Sequence, residues 1–498
     1  MKLKGPGNRT FNILFHLHTV CGIILSAVLF VIFLAGAFTL FKNEFYLWEN
    51  ADLRQRSIPE VDPREILERV NALVEDFDLN DDTFISFPTE QTPLIKVYGH
   101  RKPPRSEEEV HYTGKMNPVT LELSEQGTTA IGETLYRLHF LDQIPYAGQL
   151  LAGFVSVFFV FSLITGVVIH WKNLFTKFWS FSLKGIRKQI WTNAHTVFGI
   201  LGLPFQLMYA VTGAFYLLLA LVLMPVVMVL FDGVPEKVYA LAFPAYGVHY
   251  DEEAADCSML GKLPELHRQV LDEYGNKYEI IGIQTHHLLK EDGVVNYRFV
   301  SRSPAVFASH GYISFRLLDG TRLYSSMPEV DKKFTHKIIE AVMHLHFGTF
   351  GGVWLKILYF ILSLFTCFML ISGVLLWKEA RNNRQYTFEQ KRFHHRVTIV
   401  CLAVCLSLFP AIAVLFAAER LVGTGEGHVS TVNTIFFGSW AILTLVGIWL
   451  NEEAKLTYFN AGALALLSLA VPVVNGLTTS DWFWQTRVTQ VWVTDVCW

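Results

Sequence analysis

"HLHTVCGIILSAVLFVIFLAGAF" runs from His16 to Phe38, and "NAHTVFGILGLPFQLMYAVTGAF" runs from Asn193 to Phe215. His18, Thr19, Val20, Gly22, Ile23, Gly36, Ala37 and Phe38 return as His195, Thr196, Val197, Gly199, Ile200, Gly213, Ala214 and Phe215, at a constant offset of 177. A second pair of stretches repeats further on. "LHFLDQIPYAGQLLAGFVSVFFVFSLITGVVIHWK" opens at Leu138, and "LHFGTFGGVWLKILYFILSLFTCFMLISGVLLWK" opens at Leu345. His139 matches His346 and Gly166 matches Gly373, both at an offset of 207. The plan is therefore helix, insertion, helix, and then the same again.

These stretches are long enough to cross a hydrocarbon core of about 30 Å, which takes ~20 apolar residues as a helix. The chain of 498 residues is 52% hydrophobic and only 17% charged, and long apolar runs carry that excess. Seven runs qualify, and the expected organisation is: helix 10–41, insertion 42–147, helix 148–171, basic loop 172–192, helix 193–231, insertion 232–347, helix 348–377, basic loop 378–396, and an extension of three helices and a tail over 397–498. The first run is too long for a removed signal peptide and lacks a small-residue cleavage site, so it is read as retained. The net charge of −3 points to no nucleic-acid partner.

Lysine and arginine set the orientation. Lys2, Lys4 and Arg9 precede the first helix, Lys172 to Lys188 fill the first basic loop, and Lys378 to Arg396 fill the second. These belong on the cytoplasmic side, with the N-terminus cytoplasmic and the two insertions outside. Both repeat units then start on the same side, a parallel repeat about an axis along the membrane normal. Each insertion mixes strand-like runs ("FISFP", "LIKVYGH", "VTLELSE"; "NYRFVSR", "YISFRLLDG") with one helical run ("VDPREILERVNALVEDF"; "LPELHRQVLDEYG"). Asp62-Pro63 is a helix-start signal. The fold class is thus an α-helical integral membrane protein of about seven transmembrane helices, the first four forming a parallel internal repeat, with two α+β insertions.

The repeat sets His18 beside His195 at one depth and His139 beside His346 at the other. His18 and Gly36 are 18 residues apart, which is about 27 Å along a helix. Two facing imidazoles are what a six-coordinate b-type haem requires. One histidine at a membrane interface is more often an anchor; four in two symmetry-matched pairs favour ligation to haem iron. Gly22 and Gly199 follow at i+4 on the same face and leave room for a macrocycle, and Gly348, Gly351 and Gly352 do likewise near His346. His170 and His395 reach the cytoplasmic depth and stand as reserve ligands. His16 and His344 lie two residues from their partners and point elsewhere. The small residues of "AGAF", "TGAF", "ITG" and "ISG" are read as helix-packing positions. Of six cysteines, Cys21, Cys367, Cys401 and Cys405 sit in apolar helices as small hydrophobes; Cys257 and Cys497 are available to pair in an oxidising compartment.

No dinucleotide or phosphate-loop fingerprint is present, nor a covalent haem motif, so the chain carries no flavin or nicotinamide site. Electrons must come from a membrane quinol or a separate protein.

"LHTVCG", "NAHTVFG", "YRLHF…SLITGVVIHWK" and "MHLHFGTFGG…MLISGVLLWK" resemble the PepSY-associated transmembrane family over roughly residues 10–380. "MNPVTLELSE" resembles the Asp-Pro-x-Thr-Gly-Glu strand-turn of PepSY domains, with Asn117 and Leu121 departing from it. The resemblance implies PepSY-like periplasmic insertions in a bacterial inner-membrane protein, and matches His18, His139, His195 and His346 to family motif positions. It implies iron uptake, with two b-type haems reducing a periplasmic ferric siderophore or other ferric chelate. The alternative is non-enzymatic: a membrane-anchored PepSY regulator or inhibitor of a periplasmic peptidase, or an accessory protein of iron transport.

Overall fold

The computed structural model describes residues 6–50, 59–89, 92–102, 110–125, 130–173, 182, 184–234, 254–303, 305–423, 425, 427–480, 482 and 484. Seven helical segments among them are long and apolar enough to cross a membrane: Asn8–Thr39, Gly148–His170, Leu203–Leu230, Thr349–Arg381, Phe388–Leu421, His428–Leu450 and Glu453–Thr479. The chain divides into two compact units.

The first unit takes in Met1–Glu49, Thr129–Leu221 and Leu345–Trp498. Its helices begin with α1 (Asn8–Thr39) and the short α2 (Lys42–Glu49). Next come α4 (Ile131–His139) and α5 (Gly148–His170). The third span differs from a single helix over 193–231. It breaks into α6 (Arg187–Leu201) and α7 (Leu203–Leu230). The cause is local: Pro204 has no N–H to give to the carbonyl four residues back, so the helical ladder is interrupted there. The fourth span is α10 (Gly352–Arg381). The extension forms α11 (Phe388–Leu421), α12 (His428–Leu450) and α13 (Glu453–Thr479). α11 opens with a capping box in which the Thr387 and Gln390 side chains each accept from the other's backbone N–H, satisfying two otherwise orphaned donors. α11 is the buried helix of this group: Leu408, Ala411, Ile412, Ala413, Leu415 and Phe416 are all inaccessible and join one core with Leu29, Phe30 and Leu34 of α1. Cys367, Cys401 and Cys405 are buried free thiols and Cys257 is also free; Cys497 lies outside the described residues.

The second unit takes in Asn50–Thr128 and Val222–His344. Its helices are α3 (Pro63–Leu73) and α8 (Leu263–Tyr274), and α9 (Phe334–Phe347) begins within it. Asp62 caps α3 as its sequence requires, accepting from Arg64 N at 2.9 Å. The strands are β1 (Thr83–Ser86), β2 (Ile95–Arg101), β3 (Val110–Met116), β4 (Leu123–Glu125), β5 (Tyr278–His286), β6 (Val294–Ser301), β7 (His310–Arg316) and β8 (Arg322–Ser326). The two insertions, read as separate α+β domains, share one antiparallel sheet in the order β4-β3-β2-β1-β5-β6-β7-β8. β1 and β5 join the halves, with Thr83 opposite Thr285 and Ile85 opposite Ile283. A single apolar core, including Ile66, Leu67 and Val70 of α3 and Leu263, Leu266 and Val270 of α8, lies on this sheet. "VTLELSE" is strand only from Leu123. Before it, Asn117 Oδ1 accepts from Val119 N and Thr120 N at 2.9 and 3.2 Å, closing a turn. Leu121 there has φ 52°, a left-handed conformation that costs a non-glycine residue about 1–2 kcal/mol.

Candidate functional site: two histidine pairs

The structure brings His18 to His195 and His139 to His346. The ring centres of His18 and His195 stand 6.1 Å apart at an interplanar angle of 64°. Those of His139 and His346 stand 5.9 Å apart at 45°. Two imidazoles sharing one iron through bonds of about 2 Å have ring centres about 6 Å apart. Both pairs therefore have the separation of a bis-imidazole metal site.

The tautomers follow from the partners. His18 Nδ1 donates to the Ser162 carbonyl at 2.9 Å. His195 Nδ1 donates to the Met369 carbonyl at 2.9 Å. Ser162 and Met369 are themselves equivalent at the offset of 207, so the repeat extends to the backbone atom that holds the ring. His139 Nδ1 donates to the Ile32 carbonyl at 2.8 Å. The fourth ring differs. His346 Nδ1 lies 2.8 Å from Thr212 Oγ1, and that hydroxyl donates onward to the Met208 carbonyl at 2.7 Å. A carbonyl only accepts, and Thr212 has already used its proton, so Nδ1 carries the hydrogen in every ring. Nε2 is left as a lone-pair donor in all four. An imidazole anchored through its second nitrogen to a carbonyl is the arrangement seen in metal-ligating histidines, because it fixes tautomer and ring orientation. Burial lowers the pKa of His139, and lowers that of His346 to about 3 with His139 adding to the effect, which disfavours the charged form of both rings.

Glycines make room for the rings. A Cβ on Gly36 would come within 2.6 Å of His139 Nδ1, one on Gly166 within 3.2 Å of His18, and one on Gly373 within 3.0 Å of His195. These are the small residues read from the sequence as helix packing. They do pack, but what they pack against is imidazole. Their recurrence with the histidines at fixed offsets was the signal for that role. Gly22 has no atom within 4 Å of where its Cβ would stand, and Gly199 meets only Met369 Cγ at 3.8 Å. Gly348 ends α9 in a left-handed conformation, φ 63°.

A cleft lies beside the His139–His346 pair, walled by Ile32, Phe33, Phe159, Tyr136, Tyr209, Gly213 and Tyr216. Tyr209 and Tyr216 pack on His346 with ring centres 5.0 and 5.3 Å away. The Tyr216 hydroxyl is buried there with no hydrogen-bond partner among the described residues. An orphaned donor costs roughly 1–3 kcal/mol, and a polar group on an occupant of the cleft would satisfy it.

His395 Nε2 bonds the Asn451 carbonyl at 3.1 Å. His394 lies against Trp377 and Tyr386. His16 is exposed. His170 ends α5, close enough to His195 to interact with its charge. His344, set aside in the sequence reading, joins a separate cluster with His310 and Glu340.

Helices and histidines together define a multi-pass membrane protein with two half-buried imidazole pairs in an internally repeated core. The chain belongs to the family described as PepSY-associated TM region, which matches residues 15–380. The match covers the repeat and stops before α11. Among curated proteins it is similar to the uncharacterized protein PA4219 of Pseudomonas aeruginosa, 25% identical over 364 residues that make up 69% of this chain and 86% of that protein.

Proposed function

We propose that this protein is a di-haem b oxidoreductase of the bacterial inner membrane, passing electrons across it to reduce a periplasmic ferric siderophore and release the iron. One observation carries the reading. All four histidines hold Nδ1–H on a carbonyl or on a hydroxyl backed by one, and the paired rings stand 6.1 and 5.9 Å apart. A packing role for these histidines would not demand the same tautomer four times. A haem with two imidazole ligands supplies one-electron chemistry without an open coordination position.

The residues of this chain would do the rest. His18 and His195 would hold one group, and His139 and His346 the other. Ser162, Met369, Ile32 and Thr212 keep each ring turned and each Nδ1 protonated. Phe33, Phe159 and Tyr209 keep water from the second pair. Phe205, 4.6 Å from Tyr209 and 5.3 Å from Tyr359 between ring centres, continues this aromatic packing into the bundle. Electrons would enter near His18 and His195 from a quinol or a separate protein, with the basic loops and N-terminus cytoplasmic. They would leave near His139 and His346 to a ferric chelate, which is the substrate. Ferrous iron binds hard oxygen chelators weakly, so reduction releases it.

Pyridine haemochrome analysis of protein purified from haem-replete cells tests the reading, with about two non-covalent b-type haems per chain expected. Addition of a ferric siderophore to the reduced protein should reoxidise it and yield Fe(II). A colourless preparation overturns the reading.

A further inference from the structure

We propose that His310, Glu340 and His344 form a binding site for a divalent first-row transition-metal ion, distinct from the two histidine pairs. The site lies in the sheet-containing unit and stands independently of the haem reading. β7 begins at His310, and α9 carries Glu340 and His344 one turn apart on the same face. Glu340 Oε1 is 2.6 Å from His310 Nδ1 and 3.1 Å from His344 Nε2. All three donor atoms lie within 4.8 Å of one another. Ligands about 2.1 Å from a tetrahedral ion are about 3.4 Å apart, so small side-chain shifts would admit the ion.

The surroundings already orient the carboxylate. Lys332 Nζ holds Glu340 Oε2, and also donates to the carbonyls of Ala308 and His310 at 3.2 and 2.7 Å. The backbone N–H of His310 donates to Oε1 at 2.7 Å. Oε1 is thus the oxygen turned toward both imidazoles. Phe307 packs on His344 with ring centres 5.4 Å apart. Glu340 and His344 are buried, while the His310 side chain is 31% exposed and leaves a way in.

The internal repeat supplies a comparison. At the offset of 207, Glu340 corresponds to Glu133 and His344 to Arg137. In the first repeat the glutamate pairs with Lys42 at 2.6 Å and Arg137 at 3.0 Å. Neither an ammonium nor a guanidinium has a lone pair to offer a metal. The second repeat keeps the glutamate and pairs it with a lysine from a different position, Lys332, but it replaces the arginine with an imidazole and brings a second imidazole from β7. An ion pair needs neither change. Two imidazoles and a carboxylate suit ions such as Zn(II) and Fe(II).

The test uses the full chain, without a histidine tag, stripped with chelator and dialysed against micromolar Zn(II) or, anaerobically, Fe(II). Mass spectrometry counts bound metal, with haem iron subtracted by haemochrome. One ion per chain is expected. Affinity should fall at least about tenfold in His310→Gln and in His344→Gln, while haem content stays unchanged. Zn(II) should raise the melting temperature of the natural chain but not of either variant. A natural chain that takes up no metal, or variants that bind as tightly as it does, would overturn the proposal. His310→Gln is the safer variant, because its side chain is partly exposed.

Discussion

At the scale of single residues, the two pairs should separate by mutation. Replacing His18 or His195 with alanine should remove about one of two haem equivalents and leave the other, and replacing His139 or His346 should do the converse. The low-spin spectrum of the surviving site reads the outcome. Unchanged spectra in both His18→Ala and His195→Ala would return that pair to a packing role. Gly36 offers a test that leaves every ligand in place. A valine there collides with the His139 ring, and overpacking of this kind costs about 1–3 kcal/mol. Gly36→Val should therefore lower occupancy of the second site while sparing the first. Thr212 stands where the first repeat has Ala35, and it inserts a hydroxyl between His346 and the helix carbonyl. Thr212→Ala should alter the spectrum and midpoint potential assigned to the second site alone, because it changes the hydrogen bond that sets the basicity of His346.

At the scale of elements, α4 depends on helices far away in sequence. Ala130, at its N-cap, has no side chain to cap with. Glu49 of α2 accepts from Ile131 N at 2.7 Å, and Glu419 of α11 accepts from Ala130 N at 3.0 Å. Two carboxylates at a helix N-terminus are also favoured by the helix dipole. Thr134 bonds Asn433 of α12 at 2.5 Å. The extension that follows the family region thus braces the helix that ends in His139. Glu419→Ala leaves Ala130 N without its acceptor and removes the partner 3.1 Å from His428 Nε2. A loss of roughly 1–3 kcal/mol is expected, seen as a lower melting temperature and weaker retention of the second haem, with the first unaffected.

At the scale of the whole molecule, the repeat joins its halves through backbone as well as helices. Phe84 and Gln284 are directly paired across β1 and β5. Phe84→Cys with Gln284→Cys should form a disulfide, read as a mobility shift on a non-reducing gel and lost with either single variant. Two separate domains would give no such link. Reporters fused at residues 290 and 385 should report opposite sides of the membrane, since a spanning helix lies between them.

The sequence by itself determined the seven spans, the repeat, the Asp62 cap of α3 and which four histidines to watch. Each rests on a local or periodic signal: unbroken apolar length, a fixed offset, Asp62 before Pro63. Only the tertiary structure decided what the rings lean on. The Ser162, Met369 and Ile32 acceptors are backbone carbonyls, and a carbonyl's availability leaves no mark on residue identity. The joined sheet was hidden for a related reason. β3 (His111, Thr113, Lys115) and β5 (Glu279, Gln284, His286) mix polar side chains into short strands, and they become strands because paired neighbours satisfy their backbone. His310 and Glu340 are 30 residues apart. Nothing in their spacing announces a site, and β7 and α9 had to fold together before one carboxylate oxygen faced two imidazoles.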